Sequence, residues 1–471
     1  MAYTNDRRMN GLILFTKVPR PGFVKTRLIA REGSPTPEEV ASLYQALLED
    51  TLAVLKDLKV AGRTALFVSF EPKEEEDKIR SIVSGYIEDA DYLPQITGTV
   101  TDKVNQAFQG VLASGCEAVC LIPGDHADLD ADLLAHAFDR LSDPAPSIVI
   151  GPTSDGGAYL LGFNRASFGA IRFDLENTHL VCADIFLKAR TAGIKCTFLE
   201  NRDDIDDLDD ARYFRKRTDL RNRRTWTILQ DMALPPTEGN PDTKVSVIVP
   251  TLNEGHTIGG LLNSLQRQEK NGFEVIVADG VSKDETVSKA WGRADKIVFV
   301  PKPSRSGQEN LAASDARGDS LLFLHADMTV PSTLLGSVIA SMRDQTVAGG
   351  SCHVLFRGGG TRIGFLNAVR LTGDRLGIHG ISSGFYVRRQ VFDALGGFRT
   401  NVMEEAVDFQ RRAARLGKFV TLKETCTTSA RRFRREGSFL PTFVIWVTTI
   451  VLTEFGLHLT FIEKRLWRNV R

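Results

Sequence analysis

Three aspartates stand directly behind runs of apolar residues: Asp125 after AVCLIPG, Asp279 after FEVIVA and Asp327 after SLLFLHA. A carboxylate inside a buried strand is costly unless it is paired or bound to a metal. Placed at a strand end, the same group can hold a nucleotide or a hard divalent cation, and such a cation neutralises a diphosphate through oxygen ligands. Pro250-Thr-Leu-Asn-Glu254 follows another apolar run, VSVIV, and adds a further carboxylate. Behind the first apolar run, LILF, Gly22 lets the backbone turn closely, Lys25 offers a point charge and Arg27 a bidentate fork. That combination suits a nucleotide phosphate. Gly156 and Gly157, next to Asp155, permit close approach to a ligand after the run SIVIG.

Other polar residues have structural explanations. Asp284 sits beside Ser282-x-x-Glu285, the spacing of a helix capping box. Gln308 and Asn310 fit the start of a helix as well as a binding site. In the run Asp203-Asp204-Ile-Asp206-Asp207-Leu-Asp209-Asp210, like charges favour a solvated surface or a helix start, with Asp206 the one residue expected to face a site.

The apolar runs LILF, TALFVSF, AVCLIP, SIVIG and AYLLGF alternate with helical patterns, and the alternation restarts after residue 240 with VSVIVP, FEVIVAD, KIVFV and SLLFLHAD. Strands alternating with helices predict doubly wound, parallel-rich α/β sheets covered on both faces, with ligands beyond the carboxyl ends of the strands. The first long helix is expected over 37–58, opened by the capping spacing Thr36-x-x-Glu39. The Pro-rich polar stretch around Pro235 and Pro241 marks a boundary, giving domains at 1–234 and 244–471 joined by a linker at 235–243.

At 471 residues the chain is too long for one compact core, and 42% apolar with 25% charged residues excludes disordered and fibrous classes. Lys plus Arg equals Asp plus Glu, 59 each, so no global field draws the protein to nucleic acid. Six scattered cysteines without metal spacing, and no signal-peptide core, predict a reducing, cytoplasmic setting.

As a set, PTLNE, ADGVSKDET, SGQEN, LLFLHADMTVP, GGFR and TSARRF resemble family 2 glycosyltransferases of the GT-A fold, more narrowly the radical-SAM/selenodomain-associated transferase 2 group, over roughly residues 244–465. The resemblance implies a nucleotide-sugar donor and a divalent cation, Mg or Mn. Asp327 takes the place of the metal-binding carboxylate of an Asp-x-Asp element, with His325 where its first Asp often stands. Glu254 and Asp279 contact a uridine-like nucleotide, in a site that also takes in Pro250, Gln308 and Asn310. ILFTKVPRPGFVKTRL, IPGDHADL, GPTSDGGAYLLG and DIDDLDD resemble the transferase 1 partner of that group, related to nucleotidyltransferases such as the 2-phospholactate guanylyltransferase family, over roughly residues 10–220. This implies Gly22, Lys25, Arg27, Asp155, Gly156 and Gly157 at a nucleotide and Asp125 at a metal.

The chain departs from both patterns. The transferase 2 group usually reads Met-Glu-Asp before a helix, its Asp being the base that deprotonates the acceptor hydroxyl. Here Asn401-Val-Met-Glu404-Glu405-Ala406 puts either Glu405, preceded by Glu404, or Ala406 at that place. The N-terminal half has Thr97-Gly-Thr-Val-Thr-Asp102 for Gly-Asp-Leu-Gly-Glu and Glu176-Asn-Thr178 for Trp-Ser-Thr, at positions that bear on acceptor binding. The expectation is an α/β chain of two tandem GT-A-like domains: a bifunctional enzyme taking a nucleotide sugar or nucleoside triphosphate and a small or lipid-linked acceptor. The N-terminal half would transfer a nucleotidyl group and the C-terminal half would use the product. Two further readings stay open: both halves are glycosyltransferases, or one is a silent nucleotide-binding module. From Arg411 onward thirteen basic residues face four acidic ones. The apolar stretch 439–453 fits a core helix, with Arg431 or Arg432 gripping the donor diphosphate, or a peripheral contact with an anionic membrane.

Overall fold

The computed structural model describes residues 10–29, 33–60, 64–176, 178–202, 204–235, 245–269, 272–314, 316–358, 360–375, 384–400, 405–431 and 443. The chain divides into two units, 1–238 and 239–471. The expected linker lies mostly outside the described residues, as do Glu404, Arg432 and all of the stretch 439–453 except Phe443.

Unit 1 is built on strands β1 (Asn10–Lys17), β2 (Thr64–Glu71), β3 (Asp91–Pro94), β4 (Ala118–Pro123), β5 (Ser147–Pro152), β6 (Ala158–Asn164) and β7 (Lys195–Phe198). They form one seven-stranded sheet in the order β3-β2-β1-β4-β6-β5-β7. Unit 2 has β8 (Val245–Thr251), β9 (Phe273–Asp279), β10 (Lys296–Phe299), β11 (Ser320–Phe323), β12 (Val347–Arg357), β13 (Phe385–Arg388) and β14 (Lys418–Ser429). Their order, β10-β9-β8-β11-β13-β12-β14, repeats the first. In each sheet the sixth strand in chain order runs antiparallel to both neighbours. The two tandem α/β units expected from the sequence are present, each built on a mixed seven-stranded sheet.

Central strands are apolar on both faces because helices cover both. β4 is buried from Ala118 to Ile122, and Leu12, Leu14, Ile122, Phe70 and Val149 share one core. In unit 2, Phe323, Phe385, Phe392, Phe398 and Phe409 form an aromatic cluster with Ala406 among them. The long helix spans Pro37–Val60 with its capping box in place: Thr36 N–H donates to Glu39 Oε2 at 2.7 Å, and Glu39 N–H to Thr36 Oγ1 at 3.2 Å. The second expected box does not form. The helix there starts at Thr286, and the Ser282 hydroxyl donates to Asp279 instead, at 2.7 Å. β8 runs two residues past the expected strand end, so Pro250 lies within it.

Candidate functional site

In unit 2 the ends of β8 and β9 lie in register, Thr251 opposite Asp279. Asp279 is fully buried; its Oδ2 accepts from Thr251 Oγ1 at 2.8 Å and its Oδ1 from Ser282 N–H at 2.6 Å. Burial pushes this carboxyl above its ordinary range, against the pull of those hydrogen bonds. The Gln308 amide donates to the carbonyls of Thr251 at 2.8 Å and Ala278 at 2.7 Å. Asn310 bonds both the N–H and the carbonyl of Phe398, each at 2.9 Å. Both amides lie in the helix Arg305–Ser314 and are engaged with backbone, Gln308 at the ends of β8 and β9 and Asn310 at the Phe398 loop. Asp284 accepts from Gly255 N–H at 2.8 Å and Thr286 N–H at 2.9 Å. Burial would raise its pKa, but the hydrogen bonds from Thr286 and Gly255 outweigh it and hold the carboxyl low.

Two pairs converge beyond these ends. Asp327 Oδ1 accepts from Thr428 Oγ1 at 2.9 Å, and Thr329 and Thr427 bridge the Asp327 loop to β14. Three residues past Thr428, Arg431 grips Glu254 with both terminal nitrogens, Nη1 to Oε2 at 2.9 Å. The Glu254 hydrogen bond chiefly, with Asp327 adding to it, holds the guanidinium above its ordinary pKa. Glu254 thus pairs with Arg431 directly, and the charge of Asp327 acts on the same guanidinium.

Glu405 opens the helix Glu405–Ala413, buried, with its Oε1 accepting from Arg305 Nε at 2.6 Å. Ala406 points into the aromatic cluster, where a carboxylate would be buried among phenyl rings. The geometry favours Glu405 as the acidic group at this place. Sequence reasoning passed over Arg305 and Glu309, which lie one turn apart on the helix Arg305–Ser314 and flank Gln308. Glu309 is 1% exposed, and its Oε2 has no hydrogen-bond partner among the described residues. Burial, opposed by Arg305 and aided by Glu405, pushes its carboxyl well above the ordinary range. A group that binds its proton more tightly when folded adds stability at low pH and loses it as pH rises. Glu309→Gln is therefore expected to melt alongside the native chain near pH 4.5 and to be more stable at pH 8, by about 1–3 kcal/mol. Melting curves at the two pH values check this, and parallel curves contradict it.

In unit 1 the loop after β1 places Lys25, with a positive φ of 44°, beneath the end of β4. Its ammonium donates to Asp125 Oδ2 at 2.7 Å and Asp206 Oδ1 at 2.9 Å, with only 5% of the side chain exposed. Burial would lower its pKa, but Asp125, Asp206 and Asp204 outweigh it and raise it well above the ordinary value. Lys25 holds Asp206 low, whereas burial and the Asp206 charge push Asp204 well up. The acidic run is therefore not purely solvated: Asp206 bonds Lys25, as expected of the one residue facing a site, and Asp204 lies near enough for its charge to act on the same ammonium. Asp210 is pushed up to about 7 by burial and by Asp207 while it caps the turn at Asp206 and Asp207. Arg27 reaches Asp206 at 3.2 Å from an exposed position. Asp155 accepts from Gly157 N–H at 2.9 Å. Gly156 has a φ of 93°, and a Cβ there would run into the His179 carbonyl, so only glycine fits this turn. Gly22 likewise turns with a φ of 71°.

Among the described residues no three His, Cys, Asp or Glu side chains are grouped to hold a metal by themselves. No helix among them is long and apolar enough to cross a membrane. All six cysteines are unbridged.

Residues 246–396 match the model of glycosyl transferase family 2, and residues 54–174 match that of an uncharacterized protein conserved in bacteria, DUF2064. The Staphylococcus aureus poly(ribitol-phosphate) beta-N-acetylglucosaminyltransferase TarS is 38% identical over 92 residues, 18% of this chain and 16% of its own. The O-antigen biosynthesis protein RfbC of Myxococcus xanthus is 30% identical over 235 residues, 43% of this chain and 18% of its own. The chain spans less than a fifth of the length of both relatives. A Desulfovibrio desulfuricans protein described as a nucleotide-diphospho-sugar transferase aligns over 47% of this chain and 94% of its own, at 24% identity and a TM-score of 0.41. The Pyrobaculum calidifontis mannosyltransferase, solved with GDP-Man and Mn2+, aligns over 53% and 69%, at 21% identity and a TM-score of 0.37. The chain carries a glycosyl transferase family 2 domain in its C-terminal half and a DUF2064 domain in its N-terminal half.

Proposed function

We propose that unit 2 is a metal-dependent glycosyltransferase that moves a sugar from a nucleotide diphosphate to an acceptor hydroxyl. The observation that carries this reading is that the exit of β14 ties down two strand-end carboxylates, Thr428 bonding Asp327 and Arg431, three residues on, bonding Glu254. A hard cation bound by one or two carboxylates completes its shell with substrate phosphates, so Asp327 as a lone carboxylate fits Mg or Mn shared with a diphosphate. When bound, the cation neutralises charge on the leaving diphosphate. Arg431 turns from Glu254 to the diphosphate, and Glu254 is freed for the nucleotide near Pro250 and the Asp279 turn. Glu405 accepts the acceptor proton while Arg305 fixes its orientation. Gln308 acts here by holding the ends of β8 and β9 in place, and Asn310 by holding the Phe398 loop. The narrower likeness to the selenodomain-associated transferases supports the same reading, with a small or lipid-linked acceptor on the cytoplasmic face.

Unit 1 handles nucleotide phosphates with Lys25 and Arg27, as a nucleotidyltransferase-like partner with a divalent cation at Asp125. The ammonium of Lys25 now holds the carboxylates such a cation would need. Lys25→Met is therefore expected to bind Mn alone more tightly and nucleoside triphosphate more weakly, each by on the order of tenfold. Calorimetry with each ligand separates the two effects, and weakening of both would refute the competition. The full chain, given nucleotide sugars and nucleoside triphosphates in turn, tests the overall reading. Nucleoside diphosphate release that Asp327→Ala abolishes marks unit 2 as a transferase, and pyrophosphate release that Asp125→Ala abolishes marks unit 1 as a nucleotidyltransferase. Release of neither product leaves only binding roles.

A further inference from the structure

Cys352 on β12 and Cys426 on β14 lie on neighbouring strands, 1% and 0% exposed, with their sulfurs 3.2 Å apart. The β12–β14 register shifts between Ser351 and His353, so Cys352 sits at an irregularity and leans toward Cys426. Gly384 makes the room: its φ is 74°, and a Cβ there would stand 2.8 Å from the Cys352 sulfur. β14 is the edge of the sheet, paired within it only to β12. The same strand carries Thr428, bonded to Asp327, and leads into Arg431, bonded to Glu254.

We propose that Cys352 and Cys426 are a redox modification site, closing to a disulfide that locks β14 onto β12. The sulfurs need to approach by about 1 Å to reach bonding distance of about 2.05 Å. The oxidant is a small neutral peroxide, which can follow transient opening of an edge strand. One thiol, as thiolate, attacks a peroxide oxygen; the O–O bond breaks, giving a sulfenic acid and, once protonated, water. The second thiol attacks that sulfur and releases a second water, so two thiols and one hydrogen peroxide give one disulfide and two waters. The hydrogen bond with Cys352 and burial together push the Cys426 thiol up, so the first attack is slow and waits on opening. A low-molecular-weight dithiol reverses the bond by exchange.

This inference does not depend on the transferase reading. The full-length chain is treated with graded hydrogen peroxide, quenched, and digested without reduction for mass spectrometry. The expected result is a peptide pair joining Cys352 to Cys426, two hydrogens lighter than its reduced parts. Melting of unit 2 should rise by on the order of 10 °C and return on reduction. Cys352→Ser and Cys426→Ser should each abolish both effects. Oxygen added separately to either cysteine with no joined peptide, or a joined peptide that leaves the melting temperature unchanged, overturns the proposal.

Discussion

Asp327→Ala is expected to lower the affinity of the chain for uridine diphosphate in the presence of Mn by on the order of 100-fold, with melting behaviour little changed. On the proposed reading this carboxylate would supply the protein's share of a cation's ligands. Without it, a cation would be left with phosphate and water and would no longer tie the diphosphate to the protein, leaving that to Arg431. The fold is spared because Asp327 lies at a strand end, half-buried, and its loss leaves only the Thr428 hydroxyl and a loop already fixed by the Thr329–Thr427 bridge. Calorimetric titration with and without Mn reads the effect directly. The same affinity in the variant, or an affinity indifferent to Mn in the native chain, would remove Asp327 from the site.

Glu405→Gln is expected to give the second large effect, turnover falling by about 100- to 10,000-fold while donor affinity holds. The amide keeps the shape of the side chain and can still accept from Arg305, but it cannot take a proton from the acceptor. Arg305 loses its charged partner, so a modest drop in stability accompanies the change; its side chain is 30% exposed, which limits the cost. Glu405→Asp retains the proton acceptor one methylene shorter and should recover part of the rate. Full turnover in Glu405→Gln would move the base elsewhere. An inactive native chain across a broad donor panel would make unit 2 a binding module.

The strands that sequence reasoning found are those whose side chains are buried on both faces, because only they read as unbroken apolar runs. β3 and β7 are short, half-buried edge strands, and β12 is interrupted by Gly349, Gly350 and Ser351, so neither pattern stood out. Asp125, Asp279 and Asp327 were legible because a carboxylate behind an apolar run violates local expectation. Their partners were not. Lys25 finds Asp206 181 positions away, and Arg431 finds Glu254 177 positions away, pairings that depend on strand order and not on spacing. Glu309 was hidden differently: on a helix with polar neighbours at Gln308 and Asn310, nothing in its local pattern marks it as the buried member.

The repeated strand order has a consequence for synthesis. All strands of the first sheet are complete by Phe198, whereas β8 begins at Val245. The ribosome therefore delivers a whole first sheet before any strand of the second exists. Two sheets of the same order within one chain could otherwise exchange equivalent strands, since each central slot accepts a similar apolar segment. Vectorial emergence gives the earlier half time to fill its slots with its own strands, because domains fold as units from the N-terminus during translation. Refolding of the full chain from denaturant lacks that head start, and cross-paired aggregates should accumulate there more than in translation.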